Sequence, residues 1–211
     1  MISISPASSL QSLLMQAYRP RCHFGRCREA QWAPSDGHIP RGFLGAVGEL
    51  GEVELIMVFA EPGHPHSKES YNLHGAPDEL LSACTAYAYR CFRDGQDLFH
   101  RNARWFMEQI YPDLDFDDRL RRIWITEGRL CSIDNEIGNA RDVTCAETYL
   151  IKQLNLMPRA AVVAFGGKAR RYLERLGIDH IGCYALSPPG ASHRPARPSW
   201  ERAIAAVRER L

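Results

Sequence analysis

The amino-acid sequence predicts an α/β fold, a three-layer α/β/α sandwich with a central four-stranded parallel sheet. Four short apolar runs have the character of strands buried on both faces, and helix-like segments separate them. Strands that alternate with helices form parallel βαβ units, whose right-handed crossovers cover both faces of the sheet. The 211 residues, 45% hydrophobic and 24% charged, suit one compact domain spanning 1–211.

The four predicted strands are apolar runs too short to be membrane spans or long helices. They are ELIMVF (54–59), RRIWIT (121–126), RAAVVAF (159–165) and HIGCYAL (180–186). The stretch 19–48, rich in Arg, Gly and Pro, is predicted to be irregular structure before the first strand.

The predicted helices have apolar residues three and four positions apart, and several carry start or stop signals. Pro158 ends one helix, Gly177 closes another as a C-cap, and Ser199 is the expected N-cap of the last. The predicted ranges are 79–92, 98–111, 146–156, 167–177 and 199–211.

Composition says more about the cellular location of the protein than about its binding partner. No apolar run approaches the roughly 20 residues that a membrane span needs, and the N-terminus lacks a signal-peptide pattern. We therefore expect a cytoplasmic monomer without a membrane partner. The net charge of +1 neither requires nor excludes a polyanion. Most cations are arginines, which bind phosphate well, although a GC-rich genome would also enrich arginine.

Four loops are expected to meet at one edge of the sheet, because the carboxyl ends of parallel strands share an edge. The first contains an acid and two histidines, the second a further acid, the third two glycines before a lysine, and the fourth a basic pair. Each loop also has a plainer interpretation as a turn, and the third lacks full Walker spacing. The loops are EPGHPH (61–66), TEG (126–128), FGGK (165–168) and SPPGASHR (187–194).

Seven cysteines in a chain without secretion signals favour thiols or metal ligands over a disulfide framework. Three of them are predicted to be core thiols: Cys84, Cys91 and Cys183. Four others lie in loops or at helix starts, in two pairs that would suit an iron–sulfur cluster, zinc or scattered reduced thiols: Cys22, Cys27, Cys131 and Cys145.

Taken in order, these segments resemble the uracil-DNA glycosylase superfamily, most closely its iron–sulfur branch, family 4, from about residue 10 to 211. The most similar stretches are CAETYLIKQLNLMPRAAVVAFGGKARRYL (145–173) and LQSLLMQAYRPRCHFGRC (10–27). The resemblance implies a uracil-DNA glycosylase-like fold. It also implies a structural 4Fe-4S cluster, with zinc less favoured, on Cys22, Cys27, Cys131 and Cys145. Four residues separate the first two cysteines here, where the family usually has two.

VFAEPGHPH (58–66) occupies the place of the first motif of this superfamily. Family 4 has Gly-Glu-Ala-Pro-Gly there, and other branches have Gly-Gln-Asp-Pro-Tyr-His. Aligned on Pro62, Glu61 takes the position of the catalytic aspartate of those other branches. LFHRNARWFM (98–107) resembles the segment whose ring stacks on an extruded base, which implies that role for Phe99.

Glycosylase chemistry explains why such residue types are needed. The enzyme flips its nucleotide and holds the base between an aromatic face and polar groups. A carboxylate near the sugar stabilises the developing cation and orients water. The resemblance assigns base contacts to Pro62, Gly63, His64, Phe99, Glu127 and Ser187, and DNA contacts to Gly167, Lys168, Pro189, Gly190, Ser192 and Arg194.

Two departures bear on the base that is read. Glu127 replaces the usual asparagine of a Thr-Asn pair, so it would suit an amino group when ionised, or uracil if burial keeps it protonated. SPPGASHR (187–194) resembles the mismatch-specific motif Asn-Pro-Ser-Gly-Leu-Ser-Arg. Ser187 takes the place of the usual His or Asn, and His193 is a second catalytic candidate or, with Arg194, a phosphate contact or wedge.

These implications together predict a DNA glycosylase of base excision repair that acts on uracil or another deaminated base in DNA. A catalytically weak or inactive nucleic-acid-binding member of the superfamily is the alternative. A small-molecule nucleotide hydrolase that uses the same sheet edge is a third.

Overall fold

A computed structural model describes residues 4–18, 30–133 and 143–211 and contains a five-stranded mixed sheet. The strand order is β1-β3-β2-β4-β5, with β1 antiparallel to β3 and the other neighbours parallel. The strands are β1 Leu44–Gly45, β2 Leu55–Phe59, β3 Ile123–Glu127, β4 Ala161–Phe165 and β5 Ile181–Cys183.

The α/β class is thus confirmed, whereas the expected four-stranded parallel sheet is corrected to five mixed strands. β2 to β5 each overlap one of the four predicted runs, although β3 extends to Glu127, which was expected in a loop, and β5 covers only Ile181–Cys183 of the run 180–186. β1 lies inside the stretch 19–48 that was expected to be irregular. With only two residues, of which Gly45 has φ +105, it carries no alternation that a sequence pattern could reveal.

Helices cover both faces of the sheet. They are α1 Ser8–Met15, α2 Pro77–Asp94, α3 Leu98–Ile110, α4 Phe116–Arg122, α5 Ile151–Leu156, α6 Gly167–Arg175 and α7 Ala196–Arg208; a turn of π-helix, Ala146–Leu150, leads into α5. One core packs α1, α5, α6 and part of α2 against Ile56 and Val58. The other packs α3, α4 and α7 against Leu55, Met57 and Phe59, because alternate residues of a strand point to opposite faces.

Helix boundaries follow the local signals closely, with one correction. Gly177 lies just beyond α6 at φ +67, as a C-terminal glycine should. Ser199 does not cap α7, which begins at Ala196. Its hydroxyl donates to the Ala196 carbonyl (2.8 Å) and accepts from the Tyr184 N–H (3.0 Å). It therefore ties the first turn of α7 to the chain after β5.

Two helices had no direct prediction from residue patterns. α1 overlaps the stretch 10–27 that resembles the family, but no residue pattern predicts it. α4 is a seven-residue helix rich in charge, and Arg121 and Arg122 at its end were assigned to the strand that in fact begins at Ile123. Asp115 caps α4 by accepting the N–H of Asp118 (2.8 Å).

The register of the central strands determines where the loops meet. Phe59 pairs with Glu127, and Val58 pairs with both Thr126 and Ala164. All residues of β2, β3 and β4 are buried. Glu127 is therefore held at the carboxyl edge of the sheet, next to the strand that leads into Glu61.

A buried amide supports β3 just before that edge. The Oε1 atom of Gln153 accepts from the indole N–H of Trp124 (2.9 Å) and from the hydroxyl of Thr126 (2.7 Å). All three side chains are essentially inaccessible to solvent.

We expect Gln153→Leu to lower the free energy of unfolding by at least about 1–3 kcal/mol, because it leaves buried donors without an acceptor. Urea denaturation measures the change, and Gln96→Leu at an exposed position is the control. Equal stability of the two variants would show that this amide does not support β3.

Candidate active site

A cleft of about 480 Å³ opens at the carboxyl edge of the parallel strands, a size within the usual range for small-molecule sites. The loops after β2, β4 and β5 contribute to its wall, as the sequence predicts, together with Glu127 at the end of β3 and parts of α2 and α3. Eleven predicted site residues line it: Glu61, Pro62, Gly63, His64, Phe99, Glu127, Gly167, Lys168, Ser187, Pro189 and Gly190.

Three predicted residues of the last loop do not line the cleft. Ser192, His193 and Arg194 are exposed at and after the short 3-10 turn Gly190–Ser192. The ring of His193 lies 6.1 Å from the ring of Tyr184, between centroids. A catalytic role for His193 therefore stays a prediction that requires this loop to approach the cleft.

Glu61 is held in the cleft by an ion pair with Lys168. Only 6% of the Glu61 side chain is exposed, against 20% of Lys168, so the carboxylate lies deeper than its partner. Lys168 reaches it because Gly166, at φ +90, turns the chain directly from β4 into α6. The ion pair joins the loop after β2 to the loop after β4.

Glu127 brings another carboxyl group into the cleft, and its Oε2 atom has no hydrogen-bond partner among the described residues. Its side chain lies against Gly42, where an added Cβ would be 2.6 Å from Cγ and 2.7 Å from Oε1. Burial raises the pKa of Glu127 well above its usual value, and the charge of Glu61 raises it further, while Arg41 opposes them. Burial in the cleft therefore favours the protonated, neutral form of the Glu127 carboxyl group.

Arg41 holds the loop after β2 in place. No sequence motif predicted this role. Its guanidinium pairs with the buried carboxylate of Glu69 (3.2 Å) and donates to the Gly63 carbonyl and to the Ser132 hydroxyl. Glu69 also accepts from the hydroxyl of Tyr71 (2.7 Å). This buried network holds the loop that carries Glu61.

Aromatic rings form one wall of the cleft. The ring of Phe99, in the first turn of α3, meets Phe59 edge-to-face at 5.0 Å and Phe92 at 5.7 Å. Phe59 in turn stacks on Phe165 at 4.9 Å. Phe99 is thus supported from behind while it lines the cleft, a placement suited to the predicted stacking role.

Two histidines and an aspartate form a further cluster on this wall, which the sequence analysis did not predict. The two carboxylate oxygens of Asp97 each contact one histidine ring. Oδ2 lies 3.1 Å from Nε2 of His66, and Oδ1 lies 2.9 Å from Nδ1 of His100. The cluster joins residues 31 positions apart, so no local spacing revealed it. Burial would raise the pKa of Asp97, but hydrogen bonds from His100 and His66 outweigh it and hold the pKa below its usual range.

The cysteines fall partly inside the described residues. The expected core thiols Cys84, Cys91 and Cys183 are buried, and so are Cys131 and Cys145. The Leu130 N–H, next to Cys131, donates to the Cys145 sulfur at 3.3 Å, and Ala30 bridges to Ile133. Cys22 and Cys27 lie outside the described residues.

No protein-family model matches the chain, and a search of curated proteins finds no match. None of the helices within the described ranges is long and apolar enough to cross a membrane. The geometry and chemistry of the cleft are therefore the basis on which a function is proposed.

Proposed function

We propose that the protein is a DNA glycosylase of base excision repair, which hydrolyses the N-glycosidic bond of a flipped uracil or other deaminated base. The observation that carries the proposal is that two buried carboxyl groups at the carboxyl edge of the sheet, Glu61 and Glu127, line one cleft with the supported ring of Phe99. The motif resemblance to the uracil-DNA glycosylase superfamily agrees with this assignment and with a uracil-DNA glycosylase-like arrangement of the strands.

In this proposal Glu61 acts on the sugar. Bond cleavage builds positive charge on the sugar, which a nearby carboxylate stabilises while it orients the attacking water. Lys168 compensates the buried charge of Glu61 before DNA arrives. Lys168 and Gly167 stand in the first turn of α6, where backbone N–H groups favour a DNA phosphate.

Glu127 reads the base as a neutral acid. Its carbonyl oxygen can accept from the N3–H of uracil while its O–H donates to O4, which reproduces the donor and acceptor of the asparagine amide that it replaces. Deamination converts an amino-bearing edge into an N–H beside a carbonyl, as in uracil and hypoxanthine. The protonated acid therefore suits deaminated bases as a class.

The four cysteines Cys22, Cys27, Cys131 and Cys145 are the proposed ligands of a structural 4Fe-4S cluster. The buried thiols of Cys131 and Cys145, and the N–H donated to the Cys145 sulfur, fit a ligand environment of this kind. The cluster would order the DNA-contacting loops and take no part in the hydrolysis.

One observation favours the alternative, a DNA-binding protein with weak or no activity. Lys168 engages the carboxylate of Glu61, which the reaction requires to be available. The same cleft would then bind a flipped base and leave the glycosidic bond intact.

We expect base release from oligonucleotides that carry uracil, hypoxanthine or xanthine but not from those that carry cytosine, because a protonated Glu127 suits deaminated bases. We also expect a fall of about 10²–10⁴-fold in rate for Glu61→Gln, because the variant loses the charge near the sugar. Alkali cleavage of the resulting abasic sites, in single- and double-stranded DNA, measures the release. Glu174→Gln, at an exposed position of α6, is the matched control.

Tight binding of these oligonucleotides without release would instead support the inactive binding protein. Full activity of Glu61→Gln would show that Glu61 does not act on the sugar.

We expect uracil release to decline as pH rises through the raised pKa of Glu127. The sign follows from the protonated form, which is present below that pKa and lost above it. In Glu127→Gln the amide offers a donor and an acceptor at every pH, so the alkaline decline should disappear from a profile of kcat/KM against pH. An identical alkaline decline in both proteins would contradict recognition by a protonated Glu127.

We expect protein purified without oxygen to contain iron and acid-labile sulfide, and Cys145→Ala to lose both, because the cluster loses a ligand. Elemental analysis measures both contents. Cys183→Ala, at another buried cysteine, should keep them. Zinc in place of iron in the parent protein would contradict the iron–sulfur assignment.

A further inference from the structure

We propose that His66, Asp97 and His100 bind a divalent transition-metal ion on the aromatic wall of the cleft. One ligand atom from each of the three residues lies within 4.8 Å of the others. Two imidazoles and a carboxylate are a donor set that such ions, Zn²⁺ among them, accept readily. The proposal concerns a site separate from the cysteines and does not depend on glycosylase activity.

The spacing of the donor atoms suits a shared ion. Bonds of about 2.0–2.2 Å place two ligand atoms of one ion roughly 3 Å apart when they meet at a right angle. Nε2 of His66 is 3.1 Å from Oδ2 of Asp97, and Nδ1 of His100 is 2.9 Å from Oδ1. The three donor atoms lie within 4.8 Å of one another, so the side chains would close in around an ion placed between them.

The orientation of His66 is fixed by a second hydrogen bond. Its other ring nitrogen, Nδ1, lies 2.9 Å from the hydroxyl of Tyr87 in α2. A ligating histidine usually makes such a bond through the nitrogen that faces away from the ion, which sets its tautomer and its ring orientation. The contact therefore directs Nε2 of His66 towards Asp97.

The other two residues are held by α3 and its neighbours. Asp97 is the N-cap of α3 and accepts the backbone N–H of His100 at 3.0 Å. The ring of His100 packs edge-to-face against Phe92 at 4.7 Å and Phe99 at 5.0 Å. Because these contacts hold both donors in place without an ion, little conformational entropy is lost when one binds.

The surroundings leave access for an ion from solvent. The side chain of Asp97 is 42% exposed and that of His66 is 32% exposed, whereas His100 is largely covered at 12%. All three residues line the cleft. A bound dication would then add positive charge next to Phe99, on the wall where the proposal above places the flipped base.

The test is a calorimetric titration of the protein, as purified, with Co²⁺ and with Zn²⁺ at neutral pH. The parent should take up one equivalent more than Asp97→Asn and His66→Ala, in which all cysteines are unchanged. Asp97→Asn retains an N-cap oxygen for α3, so a failure to bind would not be a failure to fold. His74→Ala, at an exposed histidine outside the cluster, should bind as the parent does.

Tyr87→Phe provides a sharper measurement, because it keeps all three donors and removes the hydroxyl that is bonded to His66. We expect its affinity for the ion to fall about 10–100-fold. The ion should also raise the thermal unfolding temperature of the parent but not of Asp97→Asn. If the parent takes up no more Co²⁺ or Zn²⁺ than Asp97→Asn, the cluster is only a hydrogen-bonded anchor for α3, and the proposal fails.

Discussion

The cleft requires two carboxyl groups, Glu61 and Glu127, to be buried close together at the ends of adjacent strands. The pairing of Phe59 with Glu127 fixes β2 and β3 in a register that brings Glu61 and Glu127 to the same edge. An unpaired buried carboxylate is far more costly than a paired or neutral one. The cost of burial is lowered in a different way for each group. Lys168 pairs with the charged Glu61, and the raised pKa of Glu127 favours its neutral form.

Several features outside the strands follow from this constraint. Gly166 provides the positive φ that starts α6 where Lys168 can reach Glu61, and Gly42 leaves the space that the Glu127 side chain occupies. Arg41 partly opposes the rise in the pKa of Glu127, although its own ion pair is with Glu69. The buried network of Arg41 and Glu69 thus holds the loop that carries Glu61.

The sequence pattern predicted the strands and loops that follow from residue order along the chain. It did not predict the side-chain networks that form between distant segments. Apolar runs located β2 to β5, and the shared direction of parallel strands then placed Glu61, Glu127 and Lys168 at one edge. β1 and α4 are too short, or too charged, for periodicity to reveal them. Neither Arg41 nor the cluster around Asp97 could be predicted, because their partners lie far away in the chain. The spacing of residues in the last loop also does not show that His193 lies near Tyr184 and outside the cleft, because spacing alone does not determine the path of an irregular loop.

The neutrality of Glu127 matters for the departing base as well as for recognition. In the proposed reaction the base leaves with developing negative charge, and an ionised Glu127 in a dry cleft would repel it. A protonated Glu127 instead donates a hydrogen bond to the oxygen on which that charge accumulates. The same negative charge of Glu61 that stabilises the sugar cation also raises the pKa of Glu127. The two acids would therefore act as a coupled pair, in which the ionised one helps to keep the other protonated.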